Sequence, residues 1–322
     1  MMTTNMQIRT IDNPVAVVDN GNPFSNVTIE NWIEYCDVQP TTQKTYNKAI
    51  QSFASYLESN GIEHPARQDV INYREWLLAS GYKVSSVRLY MTIVKKFFSW
   101  LASKGLYLNV ADGVKLPAMM SNEHAHDALT LSESRQAISF FEGKKDVKSI
   151  RDRCILSLMI CSGLRSIEVT RLDIGDIEKR KGIWFIKVHG KGRASKVDSV
   201  QISETVKSMI DEYLSVRPKG KKGTALFVST ANRNFGQRLQ TQSISRLSKK
   251  VFAEIGIVSE RITCHSCRAT AVTLMLQAGV SLREVQKVMR HRSAATTEIY
   301  ANDIDLFNNR GVATLSNLLF AA

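Results

Sequence analysis

The residues in this sequence that are best suited to chemistry are a tyrosine and several cations that precede it. Tyr300 closes the stretch HRSAATTEIY, where small, polar or charged neighbours leave room for a bulky partner to approach its hydroxyl. A phenol with a pKa of about 10 is a weak nucleophile at neutral pH, so it needs nearby positive charge and a proton acceptor. Tyr213, the other tyrosine of the C-terminal half, shares an apolar stripe with Val206 and Ile210, which predicts a packed ring.

Four polar clusters can supply that charge. Each one alone has an ordinary explanation as a surface cation, a turn or a helix face, and a single Cys264-x-x-Cys267 pair is a weak signal for zinc or redox chemistry. In chain order the candidates are Arg165 with the carboxylate of Glu168, Lys191 between two glycines, His265 with Arg268, and finally His291.

Charge is distributed unevenly along the chain. Residues 1–119 carry 11 Lys and Arg against 10 Asp and Glu, a net charge of +1, so residues 120–322 carry the remaining +12 of the total of +13. Such an excess is typical of a protein that meets a polyanion such as DNA, although a merely soluble basic surface explains it equally well.

The elements that position these residues form two domains. Residues 1–24 are polar and aperiodic, which indicates a flexible tail, and residues 25–116 predict a helical domain with Tyr46, Ile50 and Phe53 at helical spacing. A linker is expected at 117–126. Residues 127–322 predict a mixed domain with helices, a small β-hairpin around Gly190–Gly192 and a C-terminal helix at 310–320. The fold class is therefore mainly α with a small β-sheet.

The order Arg, Lys, His-x-x-Arg, His, Tyr resembles the catalytic pattern of the tyrosine recombinase (phage integrase) family, including its Xer-type members. The resemblance runs through residues 127–303, and the helical unit before it is similar in size and position to the core-binding domain of that family. Three positions depart from the usual pattern. Ala269 replaces a second histidine, Cys267 replaces a common leucine, and Arg290 replaces a glycine that often precedes the later histidine.

The resemblance implies that Tyr300 attacks a DNA phosphodiester, forms a 3′-phosphotyrosyl link and releases a 5′-hydroxyl, which reverse attack by another strand reseals. Guanidinium groups suit this reaction because their planar forks match paired phosphate oxygens. The implied roles are phosphate binding by Arg165 and Arg268, protonation of the leaving oxygen by Lys191, proton acceptance by His265, a hydrogen bond to phosphate from His291, and orientation of Arg165 by Glu168.

The resemblance also implies the partners. These are double-stranded DNA with inverted-repeat core sites and a homotetramer that joins two such sites. Because one phosphoester replaces another, no cofactor and no metal is expected, and the sequence lacks a phosphate-binding G-x-x-x-x-G-K-[ST] loop. One side of the C-terminal helix is apolar, and this helix docks either on a neighbouring protomer or back on its own domain; the apolar residues are Val312, Leu315, Leu318 and Leu319.

The helical domain has little net charge, so its DNA contacts are expected from local residues. Lys44, Arg88 and Lys95 are the candidates, and a solvated helix face explains the same residues equally well. Two alternatives to recombination remain, which are a non-catalytic DNA-binding regulator with the same fold and a type IB topoisomerase-like enzyme.

No apolar run approaches the roughly 20 residues of a bilayer span, and the N-terminus lacks the apolar block of a signal peptide. Five scattered cysteines suit a reducing compartment. A cytoplasmic protein is therefore expected.

Overall fold

The computed structural model describes residues 23–118, 127–189, 198–218, 224–291, 293–308 and 311–320. The chain divides into two compact units, Met1–Ser121 and Asn122–Ala322, and the division falls within the linker predicted at 117–126. Both units are mainly helical, and the second also contains a small antiparallel sheet. The predicted fold class is confirmed.

The described part of the N-terminal unit is built from helices around an aromatic core. Tyr46, Ile50 and Phe53 are buried, as their spacing predicts, and Pro40 begins the second helix at a position where its missing N–H costs nothing. The helices are α1 (Asn26–Tyr35), α2 (Pro40–Ser59), α3 (Arg67–Ala79) and α4 (Val84–Ser103).

Phe24 belongs to this core, although the sequence analysis placed it in the flexible tail. Its ring lies 5.9 Å from those of Phe53 and Phe97, 5.8 Å from that of Phe98 and 6.1 Å from that of Tyr107. Packed order therefore extends to the last residue of the expected tail. The rest of that tail, residues 1–22, lies outside the described residues.

Cations of α3 and α4 hold the segment 112–117, which follows the last helix of the N-terminal unit. Each cation donates to a backbone carbonyl, so four carbonyls of this irregular segment are satisfied without belonging to a helix or strand. The pairs are Arg67 with Asp112, Arg74 with Lys115 (2.7 Å), Arg88 with Pro117 (2.5 Å) and Lys95 with Val114 (2.9 Å).

The C-terminal unit places helices around a three-stranded sheet. Its elements are α5 (Leu131–Ser139), α6 (Val147–Ser162), α7 (Ser166–Thr170), β1 (Ile177–Arg180), β2 (Ile183–Val188), β3 (Asp198–Ile202), α8 (Glu204–Val216), α9 (Thr241–Glu254), α10 (Ser266–Gln277), α11 (Leu282–Met289), α12 (Ala295–Asn308) and α13 (Gly311–Phe320). The strands run in the order β1-β2-β3, with Ile186 opposite Ile177 on one side and Val200 on the other. The predicted hairpin is thus β2 and β3, and β1 is an additional strand that was not predicted.

Helix α6 is the central element of the C-terminal unit. It packs against α5, α7, α8, α9, α10 and β3, so almost its whole length is buried. Its second half, residues 154–160, is almost entirely apolar and buried on all sides, which is typical of a helix at a domain centre. The functional residues follow directly from its end, because Gly163 terminates α6 in the left-handed conformation and Arg165 comes two residues later. No helix in the described residues is long and apolar enough to cross a bilayer.

Candidate active site

The site begins at the corner between α6 and α7. Gly163 has a φ of +60°, and a Cβ atom there would lie 2.4 Å from Sδ of Met289, the last residue of α11. Only glycine satisfies both conditions, because other residues pay for the left-handed conformation and would collide with the methionine. The absence of this side chain allows the end of α11 to lie against the α6–α7 corner.

Glu168 lies at the centre of the polar contacts and is only 1% exposed. Its Oε1 accepts from Nη1 of Arg165 at 2.9 Å, and its Oε2 accepts from the backbone N–H of Arg165 at 2.9 Å and from Nη2 of Arg290 at 2.7 Å. A buried carboxylate is tolerated when cations and hydrogen bonds satisfy it in this way. Glu168 therefore contacts Arg165 as the sequence predicts, and it also contacts Arg290, which was not predicted.

Arg268 joins three elements of the site. It is 8% exposed, and its guanidinium donates to the carbonyls of Gly163, at 2.5 Å, and Met289. Burial first, and then the nearby charges of Arg165 and Arg290, lower its pKa to about 9, which leaves it protonated at neutral pH. The guanidinium retains further N–H groups that these carbonyls do not use.

His291 follows the last turn of α11 and is half-buried. Its Nδ1 lies 2.9 Å from Oγ1 of Thr297, which is fully buried near the start of α12. Burial, followed by the charges of Arg268, Arg165 and Arg290, lowers the pKa of the imidazole to about 4. His291 is therefore neutral at neutral pH, with one ring nitrogen engaged by the threonine hydroxyl.

Tyr300 lies on α12 with its ring partly buried. The ring packs against an apolar cluster that includes Val272, Val285 and Met289, so its neighbours in space are less polar than those along the sequence. Burial raises the pKa of the phenol, whereas the charge of Arg268 lowers it. The structure thus brings Tyr300 into the field of the arginine that the sequence analysis paired with it.

Of the two remaining candidate residues, His265 lies within the described part of the chain and Lys191 does not. His265 is exposed and precedes the first residue of α10, which also carries the buried Arg268. Lys191 lies outside the described residues. Cys264 and Cys267 are buried free thiols, and no cluster of three or more metal-ligating side chains occurs in the described part of the chain.

The three expected DNA contacts of the N-terminal unit lie in different surroundings. Lys44 is exposed on α2. Arg88 and Lys95 are half-buried on α4, where they donate to the carbonyls of the segment 112–117 described above. Arg88 and Lys95 therefore have an evident structural role, and only Lys44 presents a side chain without such a contact among the described residues.

The contacts made by Arg290 and Thr297 were not predicted from the sequence. Arg290 was noted only as a departure from a common glycine, and its φ of +55° explains why glycine suits that position. Thr297 carried no signal beyond being a small polar residue near Tyr300. Arg290 meets a carboxylate 122 positions away, and Thr297 meets an imidazole six positions away across the turn between α11 and α12, so neither contact follows from helical spacing.

This arrangement of cations around a tyrosine has a counterpart among known families. The family described as "Phage integrase family" matches residues 128–305, and the phage integrase N-terminal SAM-like domain matches residues 29–105. The chain belongs to the phage integrase family. It is accordingly a tyrosine recombinase, an enzyme of site-specific DNA recombination, and neither the regulator nor the topoisomerase alternative is favoured.

Relatives of this integrase-family chain span nearly its full length. It is 28% identical to the tyrosine recombinase XerC of Serratia marcescens over 293 residues, which cover 87% of this chain and 91% of the relative. The XerC of Escherichia coli strain K12 / DH10B is also 28% identical, over 287 residues that cover 85% of this chain and 91% of the relative.

Solved structures show the same fold. XerH site-specific recombinase bound to palindromic difH substrate, in a post-cleavage complex, has a TM-score of 0.73 and 18% identity over 92% of this chain and 85% of that one. A lambda integrase (75–356) dimer bound to a COC′ core site has a TM-score of 0.65 and 15% identity over 83% of this chain and 95% of that one.

Proposed function

We propose that this tyrosine recombinase cuts and rejoins duplex DNA through a 3′-phosphotyrosyl intermediate on Tyr300. The observation that carries the proposal is that Arg268 lies near both Tyr300 and His291, where its charge opposes the burial that raises the pKa of Tyr300 and adds to the burial that lowers the pKa of His291. In cleavage, the phenol oxygen forms a bond to phosphorus, the bond from phosphorus to the 5′-oxygen breaks, and that oxygen takes up a proton. Attack by a 5′-hydroxyl from another strand reverses these steps.

Arg165 and Arg268 neutralise the phosphate in this proposal. Charge develops on the non-bridging oxygens in the transition state, and fixed guanidinium groups in a partly buried site stabilise that charge without reorganising. Arg268 can offer only the N–H groups that the carbonyls of Gly163 and Met289 leave available. Arg165, whose side chain is 26% exposed, is the more accessible of the two.

Proton transfer falls to the histidines and the lysine. Because burial raises the pKa of Tyr300, the phenol is protonated at neutral pH and needs a base. His265 is exposed and suits this role, whereas His291, with a pKa of about 4, is a poor base and instead offers an N–H to the phosphate. Lys191 protonates the departing 5′-oxygen.

The partner is double-stranded DNA with inverted-repeat core sites. XerH and lambda integrase, which share the fold, were solved on their DNA sites. The net charge of +12 in residues 120–322 provides attraction to phosphate, and Lys44 is the proposed phosphate contact of the N-terminal unit. Arg88 and Lys95 can add to this contact only through N–H groups that the segment 112–117 leaves unused.

Two sites are joined by a homotetramer in which α13 of one protomer docks on its neighbour. Leu318, Leu319 and Phe320 are 78%, 65% and 81% exposed on this helix. A helix folded back on its own domain would bury such side chains, and exposed apolar clusters typically mark interaction sites. The exposure favours docking in trans over docking in cis.

Replacement of Tyr300 tests the proposed chemistry. Tyr300→Phe removes one oxygen from the ring, and we expect it to abolish the covalent protein–DNA adduct on a nicked substrate while duplex binding persists. Tyr35→Phe, which alters an exposed ring in the N-terminal unit, is the matched control and should form adduct at the wild-type rate.

The same assay separates the functions. A binding protein gives no adduct, a topoisomerase gives adduct and relaxation, and a recombinase gives adduct and exchanged strands. Adduct formation by the Tyr300→Phe protein would overturn the assignment of the nucleophile.

A further inference from the structure

Arg290 occupies a backbone conformation that does not suit it. It ends α11 with a φ of +55°, in the left-handed region, where a residue with a Cβ is less stable than glycine. If this position served only to terminate the helix, glycine would serve it better. The side chain must therefore contribute something that offsets the strain.

Arg290 is also electrostatically unfavourable toward its neighbours. It lies close enough to Arg268 and His291 to lower the pKa of both groups. Its side chain is only 11% exposed, so water screens these repulsions weakly. A third guanidinium beside two others is stable only because a carboxylate lies between them.

That carboxylate is Glu168, which is shared by two arginines. Nη2 of Arg290 lies 2.7 Å from its Oε2, and Nη1 of Arg165 lies 2.9 Å from its Oε1. Each oxygen of the carboxylate is thus directed by a different guanidinium. The pair from Glu168 to Arg290 spans from α7 to the end of α11, where His291 follows Arg290 directly.

We propose that Arg290 is a positioning residue for strand cleavage, which acts through Glu168 to hold the guanidinium of Arg165 in place and to fix the end of α11 that carries His291. This inference rests on the proposed function. In the proposed reaction, Arg290 itself contacts no reacting atom. Without Arg290, Glu168 keeps the backbone N–H and the guanidinium of Arg165 as partners but loses its third hydrogen bond, so the carboxylate orients the guanidinium of Arg165 less firmly.

Replacement by glycine gives the sharpest test. Arg290→Gly removes the ion pair and relieves the strain at positive φ, so the variant should not lose stability on account of its backbone. We expect single-turnover cleavage of a nicked core-site duplex to slow about tenfold or more, as for loss of a hydrogen bond to a charged group, while duplex affinity changes little. Arg283→Met, at an exposed arginine of the same helix, is the matched control.

Two further variants distinguish positioning from a general structural effect. Arg290→Lys restores a cation near Glu168 and should recover part of the lost rate. In a protein that already carries Glu168→Gln, Arg290→Gly should add little further loss, because the carboxylate through which Arg290 acts is absent. Independent, multiplying losses would overturn action through Glu168.

The outcomes also separate this inference from the proposed function. If the wild-type protein forms no adduct on Tyr300, the proposed function fails. If the wild-type protein forms the adduct and Arg290→Gly forms it equally fast, only the role of Arg290 fails. A loss of cleavage in which the lysine variant recovers nothing would likewise count against positioning by charge.

Discussion

At the scale of single residues, the site is organised around one carboxylate and one buried guanidinium. Glu168 holds two arginines, and Arg268 holds the carbonyls that end α6 and α11. Both side chains are hydrogen-bonded to other groups of the protein. These contacts orient the guanidinium groups of the proposed phosphate site before DNA binds, and charge that is already oriented lowers a reaction barrier most effectively.

The unusual pKa of His291 leads to a residue-scale prediction. Burial and three arginines lower it to about 4, so the imidazole stays neutral while an unfolded chain would titrate near the ordinary value. A proton thus binds the unfolded state first as the pH falls. The contribution of His291 to stability is complete above the ordinary histidine pKa and is lost as the pH falls toward 4.

Proton NMR of the histidine rings tests this prediction. The resonance of His291, assigned by its absence in His291→Gln, should titrate well below the ordinary range. Denaturation midpoints of the wild-type protein should fall faster than those of His291→Gln between about pH 6.5 and 4. A midpoint of titration near 6.5 for His291 would contradict the buried, arginine-flanked geometry.

At the scale of elements, the corner between α6 and α7 depends on a close approach to α11. The Cβ that alanine would place at Gly163 meets Sδ and Cε of the fully buried Met289 at 2.4 and 2.5 Å. The same corner supplies the carbonyl that accepts from Arg268. The close packing of α6 against α11 and the position of Arg268 therefore depend on the same corner.

Alanine at position 163 should be more damaging than alanine at an open glycine. Gly163→Ala incurs roughly 1 kcal/mol for its positive φ and about 1–3 kcal/mol for overpacking against Met289. Gly256→Ala, at a φ of +84° with no atom within 4 Å, incurs only the first loss. Chemical denaturation of both variants measures the difference, and equal losses would show that the side chain of Met289 moves aside without cost.

At the scale of the whole molecule, the excess positive charge is spread over the C-terminal part, whereas the exposed apolar side chains proposed for docking are confined to α13. The C-terminal part, residues 120–322, carries +12 of the net charge, and the exposed apolar side chains of α13 lie near the end of the chain. Attraction to DNA and association between protomers can therefore be altered separately. This separation allows assembly to be tested without disturbing the chemistry.

Removal of the C-terminal segment should affect assembly alone. We expect deletion of residues 310–322 to leave phosphotyrosine formation on a nicked substrate intact and to abolish synapsis of two sites, measured by native gel or light scattering. Serine at Leu318, Leu319 and Phe320 together should reproduce the defect, whereas Asn317→Ser, at an exposed polar position of the same helix, should not. Normal synapsis by the truncated protein would exclude docking in trans.

The sequence by itself determined much of the local structure. The box Thr130–Glu133 begins α5 with the hydrogen bonds that its spacing permits, Gly163 ends α6, and the apolar spacing of Val206, Ile210 and Tyr213 buries all three. These features depend on neighbours within a few positions along the chain. Periodicity and capping chemistry report such neighbours directly.

Only the tertiary structure decided how the candidate residues are connected. Glu168 and Arg290 are 122 positions apart, and Arg268 reaches carbonyls 105 and 21 positions away. Phe24 likewise joins an aromatic core whose other rings lie far along the chain. No local pattern encodes such contacts, because they form only when separate helices pack. The sequence therefore indicated which residues carry charge, and packing decided which charges share a partner.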